Sequence, residues 1–597
     1  MKTQTQTKSE RLQFFKSLYE SALLAVRDLH DGFERNMSQY RGSRELDGTD
    51  TEAITVRNVT YEIIESQISS DIPAPKADAA SYSERRARNA EVIERLCRSI
   101  RDRLPFEELN DMDERYTYIY GGSVWYVDWD NSLTHTGEVG GVRVYCLSPK
   151  DFIPQPGIYT VEDMEYCFLR FTTTRTELAR RYGKSPEELA DIECEYSPGI
   201  MGDGCDAVNM TVCFYNDEDG EIGRYVFSGD VVLSDLPKYY MRKGEICTEC
   251  RKESRFCTCD SARLAEGEIV FEQLTREIKL SGGGCIPELS PILGENSIGL
   301  KATEIPYYVP RVFPIVIRKN TSAERALFGQ SDCDYIRPEQ QAINKLESRI
   351  LEKLLRAGVT PIVPEDARVT LNNSVFGQVI KMKPGESMQQ YGKVDTTPDV
   401  TQDIREAERL YDHAKRVIGI SDAYQGLDTN SGESGVSRQL RISQASGRLE
   451  SKRKMKHTAY AAIDKLIFLM HLAFADEPRH LSYKDAYGRL HYEEFSKYDF
   501  IEYDCECGEY YYDDDYLFSV DLNGGSEYQR EALWQRNLEN LKAGTLGMPE
   551  SPVTLLRYWQ CQERAHYPYA RENVEYFKDE IERQRGGDAE LENQDGT

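Results

Sequence analysis

From position 436 to 475 the chain runs forty residues with no proline and a single glycine, Gly447, enough for roughly 60 Å of α-helix at about 1.5 Å per residue. A rod of that length needs a large body to lie across and other elements to cover its apolar face. At 597 residues the chain can supply one, with length alone suggesting about three or four units. The rod is not a membrane span: its longest uncharged run is 466–475, with Asp464 and Lys465 just upstream, and a bilayer needs about twenty apolar residues. The N-terminus, MKTQTQTKSERLQFF, has no apolar stretch of the kind a secretory signal requires, so a cytosolic or cytosol-derived location is expected.

Charge narrows the function classes. Lys and Arg number 74 against 102 Asp and Glu, a balance of −28, which opposes a tight, sequence-independent grip on phosphate backbones. The 15 cysteines are odd in number and mostly scattered, a pattern of reduced thiols rather than of a disulfide framework.

Periodicity predicts helices over 11–40 and 83–103, the second carrying Ala87, Ala90, Ile93, Leu96, Cys97 and Ile100 on one stripe. A Pro/Ala connector, 71–80, lies between them. From Tyr116 the alternating Tyr118, Tyr120, Val124, Tyr126, Val142 and Val144 predict sheet, continuing through 210–233 and, beyond a cysteine-rich insert, through 269–317. Pro338 is expected to open a helix that Gly358 closes. A proline-punctuated piece, 359–398, precedes a helix over 401–418. The stretch 419–435, with four glycines among Ser, Asp, Thr and Asn, cannot support a core of its own. A mixed segment over 481–522, helices over 527–543 and 552–585, and a polar tail complete an α+β chain.

Cys247, Cys250, Cys257 and Cys259 form C-x2-C-x6-C-x-C in a polar segment. Four thiolates at that spacing suit tetrahedral zinc, which would stabilise a loop too small to have a core; the bland alternative is four unliganded thiols. A structural zinc is expected. Cys505 and Cys507 would make half of a second site, with no evident partner pair. Asp513, Asp514 and Asp515 read as a solvated acidic turn rather than a cation site.

The order of elements, together with FPIVIRKNTSAERALFGQSDCDYIRPEQQAINKLESRI, the SGESGVSRQ stretch before the long helix, GGSVWYVDWDN and LSPKDFIPQPG, resembles the portal proteins of tailed bacteriophages over roughly residues 60–577. The resemblance implies a passive conduit for double-stranded DNA during packaging and ejection, built as a ring of about twelve identical subunits at one capsid vertex. Expected partners are the major capsid protein, the terminase large subunit and a head–tail adaptor. The expected place is the virion, after assembly in the bacterial host cytoplasm. It divides the chain into a helical part of the wing, 1–115; a sheet-rich wing, 116–336, with the cysteine insert at 245–262; stem helices, 337–358 and 400–418, flanking a clip, 359–399; and a tunnel loop, 419–435. A long wing helix, 436–476, a mixed wing segment, 477–526, a helical crown, 527–585, and a tail, 586–597, follow. The chain departs from compact members of the family in its cysteine insert and long sheet-rich N-terminal half.

On that reading Asp428, Asn430, Ser431, Gly432, Ser434 and Gly435 form a mobile, non-adhesive loop near DNA, where the bland alternative is a linker. Lys381 and Lys383 of the clip would help seat an adaptor or DNA. Arg438, Arg441, Arg448, Lys452, Arg453, Lys454 and Lys456, opposed in their segment by Glu450 alone, would pair with acids of a neighbouring subunit, lie near DNA, or form a solvated face. The rival readings are a packaging-associated enzyme and a zinc-containing nucleic-acid-binding protein. The nearest approach to a phosphate loop, LARRYGKS at 178–185, has Leu178 where the first glycine must stand, and neither H-E-x-x-H nor G-x-S-x-G occurs. No catalytic residues are expected.

Overall fold

A computed structural model describes residues 7–43, 54–81, 83–135, 138–190, 192, 207–240, 308–355, 398–420, 447–475, 478–484, 490–504, 509–520 and 527–564, short strand pieces between them, and parts of 567–581. Helix and sheet are mixed throughout, in keeping with an α+β class. The chain opens with α1 (Lys8–Ala25) and α2 (Arg27–Tyr40). One helix is predicted over this stretch, but the axis breaks at Val26, at φ −95° and ψ 6°. The two halves have different surfaces to cover, α1 on a sheet and α2 against other helices. Thr7 and Glu10 cap α1 reciprocally, the Thr7 amide donating to the Glu10 carboxylate at 2.8 Å.

After α3 (Val59–Glu65) comes β1 (Pro75–Ala79), within the stretch read as a connector. Its partner lies some 440 residues downstream, so no local pattern betrays it. Helix α4 (Glu84–Arg103) follows as predicted, burying Ala90, Ile93, Leu96 and Cys97, although Ala87 is exposed. Helix α5 (Phe106–Tyr120) replaces the start of the predicted sheet: Tyr118 and Tyr120 alternate, but in the last turn of a helix. Gly121 ends it at φ +87°, a conformation that favours glycine.

The sheets begin with β2 (Gly122–His135) and β3 (Glu138–Leu147), a hairpin. Then come β4 (Phe152–Pro154), β5 (Tyr166–Thr174), α6 (Arg175–Tyr182), β6 (Ala207–Asn216), β7 (Ile222–Ser228) and β8 (Val231–Leu236). The strands β4 to β8 pair in chain order, all antiparallel. Period-two alternation divides their side chains: Cys167, Leu169, Val212, Phe214 and Val226 enter the main core, whereas Phe168, Cys213, Tyr215, Tyr225 and Phe227 face α1. Phe15 of α1 stacks on Tyr225 with ring centres 4.3 Å apart.

Short strands β9 (Ile246–Cys247) and β10 (Leu264–Ala265) pair across the cysteine insert, and β11 (Glu268–Phe271) pairs with β12 (Ala302–Ile305). Strand β13 (Ile315–Lys319) joins the β2 edge to complete a three-stranded sheet. Helix α7 (Asp332–Leu355) starts earlier than predicted and contains Pro338. Its start is set instead by Ser331, whose hydroxyl accepts from the Cys333 amide at 3.0 Å. After it come the paired β14 (Val359–Ile362) and β15 (Gly392–Asp395), then α8 (Thr401–Ile418) at its predicted bounds, closed by Gly419 at φ +92°. The described part of the long helix is α9 (Gly447–Phe474). The mixed segment that follows holds β16 (Arg479–Lys484), β17 (Leu490–Phe495), β18 (Ile501–Asp504), β19 (Glu509–Tyr512) and β20 (Tyr516–Val520), the last being the partner of β1. Helices α10 (Glu527–Lys542) and α11 (Pro552–Arg564) end the described elements.

The main core lies where α4, α5 and the second half of α9 meet the two larger sheets. It is knit at one backbone crossing. The Gly121 carbonyl accepts from the amides of Asn320, at 3.0 Å, and Gly329, at 2.9 Å, tying the α5–β2 turn to the chain that leads into α7. A Cβ on Gly121 would sit 2.2 Å from the Gly329 carbonyl oxygen. Gly121→Ala is therefore expected to cost about 2–4 kcal/mol from left-handed strain plus overpacking, read as a lowered urea midpoint. A change below about 0.5 kcal/mol, the range of an unconstrained surface site, would contradict this packing.

Candidate functional site at the foot of the long helix

Lys452, Lys456, Tyr460 and Asp464 recur every fourth residue of α9, so they form one slowly winding row along the helix. Each meets a complementary group of the body. The Lys452 ammonium donates to both oxygens of Asp332, at 2.9 and 2.7 Å, and to the Gln67 amide oxygen at 2.9 Å. One turn on, Lys456 pairs with Glu114 at 2.9 Å and donates to the Asp71 carbonyl at 2.6 Å. The Tyr460 hydroxyl donates to the Asn110 side chain at 2.8 Å. At the fourth step, Arg101 donates to Asp464 at 2.6 Å.

A second layer holds these partners in place. Arg318 of β13 bridges Asp113 and Glu114 of α5, lying 2.9 Å from the latter. Asp113 also accepts from the Ser123 hydroxyl and from the Trp125 indole N–H, the latter at 2.8 Å. Asp332, the first residue of α7, accepts from the Asn320 and Gln67 amides at 2.8 and 2.9 Å. The aromatic rings close the gaps: Trp125 meets Tyr460 edge to face, and Arg101 lies 5.3 Å over the Tyr460 ring.

Four carboxylates, Asp113, Glu114, Asp332 and Asp464, and four cations, Arg101, Arg318, Lys452 and Lys456, are all buried here. Their formal charges cancel, the condition under which ions can remain in a core. Burial pushes the Glu114 carboxyl up, but Arg318 and Lys456 outweigh it and leave its value below the ordinary one. Burial draws Lys456 down against the pull of Glu114. Asp464 shifts the opposite way from Glu114: burial raises it to about 6 despite Arg101. Asp113, Glu114 and Asp332 each accept on both oxygens from cations, amides or a hydroxyl, an arrangement that suits holding elements together.

This geometry revises the reading of the basic segment. Lys452 and Lys456 are buried and pair with acids of their own chain. Arg453 and Lys454 are exposed on the opposite side, with Arg453 4.0 Å from Glu450. Arg438 and Arg441, the side chain of Arg448, and the loop residues Asp428, Asn430, Ser431, Gly432, Ser434 and Gly435 lie outside the described residues. So do Lys381, Lys383, Cys250, Cys257, Cys259, Cys505 and Cys507. Of the four cysteines expected to hold zinc, Cys247 has its backbone placed, opposite Leu264 where β9 and β10 bracket the insert. Among the described residues no group of three or more His, Cys, Asp or Glu is arranged to hold a metal.

Two other sequence features resolve into packing. Asp513 is buried rather than solvated, paired with Arg86 at 3.0 Å, while Asp514 accepts from the Tyr308 hydroxyl at 2.6 Å and is itself exposed. The 178–185 segment is the end of α6 and the turn after it, with Leu178 buried and Arg181 bonded to the buried Asp128 at 2.6 Å. No protein-family model matches the chain, and no curated protein matches it closely enough to count as a relative.

The raised Asp464 value has a testable sign. From 3.8 in the unfolded chain to about 6 in the folded one, the native state holds a proton that the unfolded state has released. This group's stabilising contribution is therefore full below pH about 4 and lost as pH rises through about 6, at up to about 1.4 kcal/mol per unit. Asp464→Asn keeps the shape and removes the titration. Urea unfolding between pH 4 and 6 is expected to show a smaller fall in stability for the variant than for the parent; parallel curves would contradict the buried carboxyl.

Proposed function

We propose that this chain is the portal subunit of a tailed bacteriophage or prophage, forming a ring at one capsid vertex through which double-stranded DNA passes. The observation that carries the proposal is the antiparallel pair α7 and α8, interrupted by the β14–β15 hairpin and followed in the chain by the long helix α9. It supports the reading because it follows the stem, clip, stem and wing-helix order expected from the resemblance.

Burial along the pair supports a stem rooted in the body. At the root, Ile336 and Ile343 of α7 pack with Ala414 and Ile418 of α8 against Val59 and Ile63 of α3. The Gln340 side chain accepts from the Thr60 amide at 2.9 Å and donates to the Arg57 carbonyl at 2.7 Å. Toward the hairpin, Leu354 and Leu355 are 51% and 66% exposed and Ile404 43%, with Lys353 and Asp403 pairing across the two helices. A helix pair anchored at one end and exposed at the other presents a long surface to neighbouring copies, which a ring requires.

In this reading the protein has no active site; it is a docking platform for terminase, head–tail adaptor and major capsid protein, resident in the virion. Among the described residues no helix is long and apolar enough to cross a membrane. The net charge of −28 fits a conduit, because a strongly basic channel would retain DNA through counterion release. The loop 419–435 would lie near the DNA, Lys381 and Lys383 in the clip, and a structural zinc on Cys247, Cys250, Cys257 and Cys259. Native mass spectrometry reads ring size and zinc content together. Rings of about twelve copies carrying about one zinc per chain are expected; a stable monomer at micromolar concentration would overturn the portal reading, and zinc-free rings the metal site alone.

A further inference from the structure

Away from the ionic row, a cavity of about 440 Å³ opens between α4, the α4–α5 turn, the β2–β3 hairpin, the end of α9 and β16. Its size falls within the range of about 300–1,000 Å³ typical of small-molecule sites. Leu96, Ile100, Leu109, Val142, Val144 and Leu481 give it an apolar wall. The charged side chains of the lining are engaged with protein groups. Arg143 pairs with Asp130 at 2.8 Å, Glu138 with Arg479 at 3.6 Å and with the His480 amide at 2.7 Å, and Arg103 donates to the His480 carbonyl at 2.9 Å. A charged ligand would have to draw one of these groups from its partner, whereas a neutral one leaves them in place.

The neutral polar group of the lining is His471, on the α9 side, 2% exposed and with its ring edge-on to Trp129 and Phe495. Its Nδ1 is 2.7 Å from the Ile467 carbonyl, one turn back in the same helix. A carbonyl oxygen only accepts, so Nδ1 carries the hydrogen. Burial pushes this imidazole down to about 3, so the ring is neutral and Nε2 keeps its lone pair. The adjoining rings do not serve that lone pair: the Trp129 indole N–H donates to the Asn131 side chain at 2.9 Å, and Phe495 has no donor. Among the described residues none donates to Nε2. With Nδ1 turned back onto its own helix, Nε2 is the polar atom that the ring has left to offer the cavity. A buried acceptor without a donor is costly, and a hydroxyl carried in by a ligand would remove that cost.

We propose that this cavity binds a neutral, largely apolar molecule with one hydroxyl group, of the short alkylphenol class, its hydroxyl donating to His471 Nε2 and its hydrocarbon against the apolar wall. A phenol suits the site better than an alkanol because its more acidic hydroxyl is the stronger donor. The site is independent of the portal reading, since it uses no residue of the stem, the loop or the zinc insert.

Isothermal titration of the full chain with 4-propylphenol tests the site, with 4-propylanisole, its methyl ether, as the control that lacks the donor and 4-propylbenzoate as the charged control. Saturable binding of one phenol per chain is expected, at least about tenfold tighter than either control, the factor that about 1.4 kcal/mol of hydrogen-bond preference gives. His471→Phe keeps a flat ring between Trp129 and Phe495 and removes the acceptor. It is expected to bring the phenol down to the affinity of the ether while the ether binds as in the parent, which also shows the cavity intact. Absence of saturable phenol binding, equal binding of the phenol and either control, or full phenol affinity in His471→Phe would each overturn the proposal. If His471→Phe fails to fold, the comparison of phenol with ether on the parent chain decides alone.

Discussion

The pairing of α9 with the body through Lys452, Lys456, Tyr460 and Asp464 is the contact on which the other elements converge. Its partners come from α7, α5 and α4, with β13 supporting through Arg318. Helix α9 alone could slide or rotate on an apolar surface, because hydrophobic contact is not directional. A row of cation, cation, phenol and carboxylate against carboxylate, carboxylate, amide and guanidinium permits one register. Shifting the helix by one turn in either direction would take Asp464 away from Arg101 and set Tyr460 against Glu114 or Arg101. Buried ion pairs contribute modestly to net stability compared with apolar replacements, yet removing one partner costs about 3–5 kcal/mol. Here the row sets position more than it adds stability.

That position has a consequence for the two ends of the chain's central region. Asp332 is both the partner of Lys452 and the first residue of α7. The root of the helix pair and the foot of the long helix are therefore fixed to the same carboxylate. A load on the α7–α8 pair would reach the body through Asp332, Gln67 and Asn320 as well as through the apolar cluster around Ile336 and Ile343. If the chain forms the ring proposed above, such a joint would keep the helix pair and the long helix in fixed relation.

How much of this was legible in the sequence depends on the range of the determining interaction. Helix α8 is legible at its observed bounds because its start and its αL glycine are local signals. The same local logic failed at Pro338: the proline was legible, but Ser331 capped the helix two turns earlier. Strand β1 and the end of α5 depart from the local pattern because a distant strand and tertiary packing decide them. The basic segment is visible as composition, but its division into buried Lys452 and Lys456 and exposed Arg453 and Lys454 is not. The signal was present: two lysines, a tyrosine and an aspartate at four-residue spacing on the face that also carries Ile463 and Ile467. What no spacing could supply was the identity of the acids waiting for those lysines, which lie more than a hundred residues away.

The central claim, that the lysines at the foot of α9 bind the helix to its own chain, is tested most directly by a double-mutant cycle on Lys452→Met and Asp332→Asn, with unfolding free energies measured for the parent, both single variants and the double. A coupling of about 1–3 kcal/mol is expected, because each single change strands the other charge in the core. Effects that add to within about 0.5 kcal/mol would contradict the pairing and return Lys452 to the surface.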